Sequence, residues 1–178
     1  MASELSAASA RMQSGPSAAI SLRGVSMVFG AATTHDAVHA LLSVDLDVAR
    51  GEFVSLIGPS GCGKSTLLRL IGDLLAPTSG TLNVNGKPPR QARLAHEYGI
   101  VFQQPVLYEW RTVGQNVELP LEVLHVPRAE RHARADALLR MVGLADFAHR
   151  FPWELSGGMQ QRVSIARALS FEPSVLLM

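Results

Sequence analysis

Apolar and polar positions in the first half of the chain follow the pattern of β-strands. Leu42, Val44, Leu46 and Val48 alternate with polar residues, as in a strand with one buried face. Other short runs are rich in apolar residues and are bounded by turn residues. We therefore expect strands at 20–29, 42–48, 52–57, 81–85 and 99–102, a loop at 31–40, and a hairpin turn at Asn85 and Gly86.

Helical spacing begins at 65–75 and dominates from about residue 107. Ala135, Leu138, Leu139 and Val142 recur at intervals of three and four residues, which predicts one apolar helix face. Pro127 is expected at the start of that helix and Gly143 at its end. A further helix at 157–169 and a strand at 174–178 complete the pattern. The order of elements predicts an α/β core that carries a helical subdomain at about 107–156.

Length and composition favour one globular domain, here expected at 20–178 after a disordered tail at 1–19. The 178 residues are 47% hydrophobic, with a net charge of +1 that gives no basis for binding nucleic acid. One cysteine excludes an intramolecular disulfide and fits a reducing compartment. No apolar run approaches the about 18 residues of a membrane span. No secretory signal is visible.

The main chemical motif lies in the Gly-rich stretch before the helix at 65–75. Residues 58–66 match the pattern G-x-x-x-x-G-K-[ST]: Gly58, Pro59, Ser60, Gly61, Cys62, Gly63, Lys64, Ser65 and Thr66. Glycines let the backbone wrap closely around phosphates, and the amides then point at the anion at a helix N-terminus. Lys64 is expected to reach the β- and γ-phosphates, and the Ser65 hydroxyl to bind Mg²⁺. The chain has only two lysines, Lys64 and Lys87, which makes the match more specific.

A second motif begins at Leu155. Ser156 is a good N-cap, and Gly157 and Gly158 leave the first amides of the next helix open to an anion, although an ordinary capped helix fits equally well. The stretch Leu-Ser-Gly-Gly-Met-Gln-Gln-Arg at 155–162 resembles the signature of ATP-binding-cassette (ABC) ATPases, in a form common in importers. The resemblance extends over about residues 20–178. It implies a P-loop NTPase core with an antiparallel β subdomain and a helical signature subdomain, incomplete at the C-terminus.

The resemblance assigns further residues. Phe29 matches the aromatic residue that stacks on adenine, although a core Phe at a strand end is the alternative. Gln103 matches the catalytic Gln that contacts Mg²⁺ and the attacking water, and Gln104 is a weaker candidate for the same role. Residues 105–113 resemble the nitrate/sulfonate/taurine importer group, whose common Leu-Pro-Trp is replaced here by Tyr108, Glu109 and Trp110. The sequence does not identify the transported solute.

The family also implies partners. Two cassettes pair head to tail, so Ser156, Gly157 and Gly158 would contact ATP held by a second ATP-binding subunit. A transmembrane permease and, indirectly, a periplasmic or lipid-anchored solute-binding protein would complete an importer. The subunit would then lie peripherally on the cytoplasmic face of the inner membrane.

The hydrolytic residues of the family are missing from these 178 residues. The family has an Asp and a Glu after the strand that corresponds to 174–178, and a His further on. We therefore expect the 178 residues to be an ABC cassette that is truncated before that acidic pair. Two alternatives stay open: a nucleotide-binding fragment without ATPase activity, and a soluble ABC ATPase outside transport.

Two other features suggest different chemistry. His35 and His39 have the spacing of a helical zinc site, but they fall in the expected loop at 31–40, with no third ligand. Cys62 has no basic partner in sequence that would make it a nucleophile, although its oxidation could disturb nucleotide binding.

We expect the 178-residue chain to bind nucleotide and to hydrolyse it negligibly, because the carboxylate that would polarise the attacking water is absent. Phosphate release from the purified chain with ATP and Mg²⁺ measures this. A turnover near about 1 s⁻¹, an ordinary enzyme rate, would contradict the expectation.

Overall fold

The computed structural model describes residues 18–30 and 37–178. Residues 1–17 of the expected tail, and most of the expected loop at 31–40, lie outside the described residues. Ala19, expected at the end of the tail, is buried. Its N–H donates to the Val48 carbonyl, and its carbonyl accepts from the Asn85 N–H, both at 2.7 Å. Ordered structure therefore includes at least one residue before Ile20.

An antiparallel sheet of three strands forms the first part of the fold. Strand β1 (Ile20–Phe29) lies between β2 (Val38–Val48) and β3 (Ser79–Val84). All three strands are confirmed, and β2 and β3 begin earlier than the alternation predicts. The turn at Asn85 and Gly86 is also confirmed, because both residues have positive φ values, 51° and 75°. After the turn, Lys87 forms only an isolated bridge to Val84 rather than a new strand.

A second, parallel sheet pairs β4 (Tyr98–Ile100) with β5 (Val175–Leu177). Both strands are confirmed but shorter than predicted. The strand expected at 52–57 is wrong: these residues form no regular element. A strand needs a neighbour for its backbone groups, and among the described residues none pairs with this segment.

In the part of the chain that the structure describes, five helices connect and cover the strands: α1 (Lys64–Ile71), α2 (Pro89–Leu94), α3 (Val113–Val123), α4 (Arg128–Met141) and α5 (Gly157–Leu169). Helix α1 is shorter than the expected 65–75, since Asp73 has a φ of 51° that a right-handed helix cannot contain. Gly143 follows α4 with a φ of 71° and confirms the expected stop. Short 3₁₀ turns stand at Ala145–Phe147 and Pro152–Glu154. Within the described ranges, no helix has the length and apolar character needed to cross a membrane.

Among residues 18–30 and 37–178, the buried apolar side chains form two separate clusters. One joins the three-stranded sheet to α1 and to β4 and β5, with Leu22, Val25, Leu70 and Leu177 among its members. The other lies among α3, α4 and α5, with Val117, Leu139 and Val163 among its members. The phosphate-loop helix α1 and the signature helix α5 therefore have different cores.

The loop before α1 is seated directly against β2. A Cβ built on Gly63 would lie 2.5 Å from the Ala40 carbonyl oxygen and 2.8 Å from a Leu41 methyl carbon. Gly63 also has a φ of 95°, which side-chain-bearing residues rarely adopt. Only glycine allows this approach, which fixes where α1 begins.

We expect Gly63→Ala to destabilise the chain more than Gly61→Ala, as measured by urea unfolding. Both positions have a positive φ, but a Cβ on Gly61 meets nothing within 4 Å. Gly61→Ala should therefore lower the free energy of unfolding only by the about 1–2 kcal/mol that a left-handed backbone conformation costs an alanine. Gly63→Ala should lower it by that amount plus the cost of the clash with β2. Equal losses from the two variants would show that the close approach is unimportant.

Candidate phosphate-binding site

The N-terminus of α1 is open to an anion. Its N-cap is Gly63, and no side chain caps it. The first turn has no acidic residue, and the backbone N–H groups of Lys64, Ser65 and Thr66 have no hydrogen-bond partner among the described residues. Uncapped amides at a helix N-terminus favour a negative charge there through both hydrogen bonds and the helix dipole.

The side chain of Lys64 folds back over the loop. Its ammonium donates to the carbonyls of Gly58 and Pro59, each at 2.7 Å, and approaches Cys62 Sγ at 3.3 Å. The cation therefore sits above the loop backbone with its donors engaged by neutral acceptors. A phosphate would offer the same ammonium a charge-assisted bond, which is stronger than a bond to a carbonyl.

The loop is shaped by glycines at close contacts. A Cβ on Gly58 would lie 2.8 Å from Cys62 Sγ, so a larger residue there would require the Cys62 side chain to shift. Ser60, Cys62 and Ser65 are exposed, and Thr66 is half-buried. The Ser65 hydroxyl has no hydrogen-bond partner among the described residues. The structure thus brings residues 58–66 together as one largely exposed loop, closed by the contacts of the Lys64 ammonium.

The second motif, at residues 155–162, includes the N-terminus of helix α5. Ser156 caps α5 and accepts a hydrogen bond from the Met159 N–H at 3.4 Å. A Cβ on Gly157 or Gly158 would meet nothing within 4 Å, so the surface above them is open. The two motifs stand on helices with separate cores, and no hydrogen bond among the described residues joins them. The two motifs therefore stand on separately packed helices: the start of α1 has no side-chain cap, and the start of α5 is capped by Ser156.

Phe29 and Gln103 are both accessible. Phe29 is the last residue of β1 and is 39% exposed, which argues against the alternative of a core Phe. Gln103 and Gln104 are both exposed, so either amide can reach a ligand.

Side chains of α5 hold the backbone on both sides of Gln103. Gln161 Nε2 donates to the Phe102 carbonyl at 3.3 Å, and Arg167 Nη1 donates to the Val106 carbonyl at 2.5 Å. Burial of the Arg167 guanidinium lowers its pKa. The sequence analysis missed both side chains, because only the fold shows that α5 passes beside residues 102–106.

Asn116 is a further organising residue that the sequence analysis missed. It is fully buried on α3, and its Oδ1 accepts from the Tyr108 N–H at 2.8 Å. Its Nδ2 donates to the carbonyls of Tyr108, Arg111 and Thr112 at 3.0–3.1 Å. A single amide thus fixes the loop that presents Trp110, whose side chain is 72% exposed.

A groove of about 410 Å³ lies next to this loop. Its walls are mostly apolar and include Ile100, Val106 and Leu119, and its basic members are His96 and Arg167.

The zinc interpretation receives no support. His35 lies outside the described residues, and His39 is on the strand β2 rather than on a helix. Within residues 18–30 and 37–178, no group of three or more His, Cys, Asp or Glu side chains could hold a metal ion.

Comparison with known sequences agrees with the two motifs. A family model described as "ABC transporter" matches residues 41–178. The taurine import ATP-binding protein TauB of Roseobacter denitrificans is 48% identical over 143 residues, which is 80% of this chain and 53% of that protein. The methionine import ATP-binding protein MetN of Nocardia farcinica is 46% identical over 166 residues, 89% of this chain and 49% of that protein. The chain spans about half the length of these curated relatives.

Solved structures show the same fold. The dimeric ATP-binding cassette MJ0796 in a post-hydrolysis state bound to ADP and Pi has a TM-score of 0.77 at 38% identity, over 88% of this chain and 72% of that chain. CbiO1 of Clostridium perfringens, part of the ABC transporter complex cbiONQ, has a TM-score of 0.77 at 29% identity, over 90% of this chain and 64% of that chain. The family match and these similarities establish that the chain belongs to the ATP-binding domains of ABC transporters.

Proposed function

We propose that this chain binds ATP as the ATP-binding part of an importer of the nitrate/sulfonate/taurine type. The observation that carries the proposal is the loop at 58–66, where the amides at the start of α1 have no partner among the described residues and the Lys64 ammonium folds back onto the loop carbonyls. A triphosphate would replace the two loop carbonyls as the acceptor for that ammonium.

Mg²⁺ fits the same place. The Ser65 hydroxyl is exposed, lies one residue after Lys64, and is an oxygen donor of the kind that Mg²⁺ prefers. Ser65 would hold the ion directly, and Gln103 would approach it from the loop that α5 supports. Bound Mg²⁺ would neutralise charge on the phosphate oxygens. Phe29, exposed at the end of β1, would stack on the adenine ring.

A second ATP-binding subunit would complete the site. The open surface above Gly157 and Gly158 is the expected position for the γ-phosphate of a nucleotide held by the partner, with Ser156 as an additional donor. Because the two motifs of one chain have separate cores, a head-to-tail pair brings each loop to the partner's α5.

The import role rests on the relatives, which include both taurine and methionine importers at similar identity. Exposed Trp110 and the neighbouring groove supply a surface for a permease segment, which would place the subunit peripherally on the cytoplasmic face of the membrane. A solute-binding protein would deliver the solute on the other side. Hydrolysis of ATP belongs, in this proposal, to the complete domain.

The test compares the only two lysines of the chain. Lys64→Ala removes the cation above the loop, so the Kd for a fluorescent ATP analogue should rise about ten-fold or more. Lys87→Ala removes an equal charge, but its ammonium pairs with Glu97 away from the loop, so the Kd should be unchanged. Fluorescence titration of the purified chain with Mg²⁺ measures both.

Equal affinity of Lys64→Ala and the parent chain would overturn the proposed site. Equal weakening by the two variants would mean that the nucleotide responds to net charge rather than to the loop. Circular dichroism of both variants checks that neither substitution unfolds the chain.

A further inference from the structure

Helices α3 and α4 face each other through a cluster of charged side chains. Glu118 lies on α3, and its side chain is only 13% exposed. Its carboxylate accepts a hydrogen bond from Arg131 Nε on α4 at 3.2 Å. His132, the next residue of α4, places its Nδ1 3.0 Å from the other carboxylate oxygen of Glu118. One carboxylate of α3 therefore contacts two adjacent residues of α4.

The imidazole of His132 lies between two carboxylates. Its second ring nitrogen, Nε2, is 3.8 Å from Asp136 Oδ2, one turn further along α4. A neutral imidazole has one N–H and one lone pair, so it can face only one carboxylate with a donor. A protonated imidazole has an N–H on both nitrogens and a positive charge. Only the protonated form of His132 therefore suits both of its acidic neighbours.

We propose that Glu118, His132 and Asp136 form a proton-dependent link between α3 and α4, which we name the histidine bridge. The bridge is complete when the imidazole is protonated, and it loses its positive charge and one of its two donors when the proton leaves. Acidification through the range in which a histidine titrates therefore tightens the contact between the two helices. The three residues lie outside the phosphate loop and outside the second motif, so the bridge does not depend on the proposed ATP site.

The other charged groups around the bridge are basic side chains of α4 and of the loop that follows it. They are Arg128, Arg131, Arg140 and His149. The hydrogen bond with Glu118 and the charge of Asp136 raise the pKa of His132, and the smaller opposing effects of partial burial and Arg128 do not cancel this rise. The bridge is therefore fully formed below the ordinary pKa of a histidine, and it is lost as the pH rises through the raised pKa of His132.

The bridge also affects the loop that presents Trp110. Asn116, which lies two residues before Glu118 on α3, donates to three backbone carbonyls of residues 108–112. A link that holds α3 against α4 therefore also holds the helix that fixes this loop. When His132 is protonated, both α3 and residues 108–112 should open less often.

Urea unfolding of the 178-residue chain at about pH 6 and about pH 8, on either side of a histidine titration, tests the bridge. Over this interval the unfolding equilibrium constant of the parent should rise about two- to five-fold more than that of His132→Gln, whose amide does not titrate. The expected change is this small because the His132 side chain is 58% exposed. The matched control is His149→Gln, which removes a histidine of the same pocket that has no ion-pair partner among the described residues. This control should keep the pH dependence of the parent.

A permanent positive charge separates the effect of charge from the effect of shape. His132→Lys keeps a cation beside both carboxylates throughout this pH range. Like His132→Gln it should remove the pH dependence, but it should retain the stability that the parent has at the lower pH. Hydrogen–deuterium exchange at one fixed pH, which holds base catalysis of exchange constant, gives a second comparison. Exchange at 108–123 should be about two- to five-fold slower in His132→Lys than in His132→Gln.

NMR titration of the imidazole C–H signals follows the proton on His132 without unfolding the chain. The midpoint should lie above the ordinary histidine value of about 6.5, and it should fall in Asp136→Asn. Asp136→Asn is preferred to a change at Glu118, because Glu118 also pairs with Arg131 and its replacement would disturb a second contact.

Three results would overturn the proposal. Equal pH dependence of stability in the parent and His132→Gln would show that the helices do not respond to this proton. An unchanged midpoint in Asp136→Asn would show that the second carboxylate takes no part. Equal exchange in His132→Lys and His132→Gln would show that the side chain acts through its shape rather than its charge. The measurements use no nucleotide, so failure of the bridge and failure of the proposed ATP site are distinguishable.

Discussion

The approach of Gly63 to β2 is the constraint on which the site depends. A Cβ at this position would lie 2.5 Å from the Ala40 carbonyl, so the loop can reach the strand only through a glycine. This contact sets the start of α1 at Lys64. The start of α1 in turn decides which amides are uncapped and where the ammonium lies relative to Gly58 and Pro59. These uncapped amides and the ammonium are the groups through which the proposed site would bind an anion.

The helices in the second half of the chain pack around a different apolar core. Helix α5 shares its core with α3 and α4, and its N-terminus at Ser156 is open. The same helix holds the backbone on either side of Gln103 through Gln161 and Arg167. A ligand at the α5 N-terminus and a change near Gln103 would therefore act on one rigid element.

Local sequence patterns were enough to predict the segments whose structure depends on their own residues. The strand β1 and the helix α5 were predicted with the bounds that the structure has, because apolar periodicity and the Ser156 cap are local signals. The phosphate loop was predicted as a motif, and the structure brings its residues together.

The predictions failed for segments whose structure depends on contacts with residues far away in the sequence. Residues 52–57 have a strand pattern, yet they lack a neighbour to pair with among the described residues. The sequence analysis assigned no element to residues 89–94, where the structure has the short helix α2 with Pro89 in its first turn. The links from Gln161, Arg167 and Asn116 to carbonyls of the 102–112 loop depend on packing that no local pattern shows.

In the proposed site, phosphate groups bind at the start of α1. Backbone amide NMR of the chain, titrated with inorganic pyrophosphate and then with ATP and Mg²⁺, tests it most directly. Pyrophosphate alone should produce its largest shifts at residues 60–65, because the proposed site would bind phosphates without help from the base. Shifts concentrated instead around the groove at His96 and Arg167, or at the open N-terminus of α5, would contradict it.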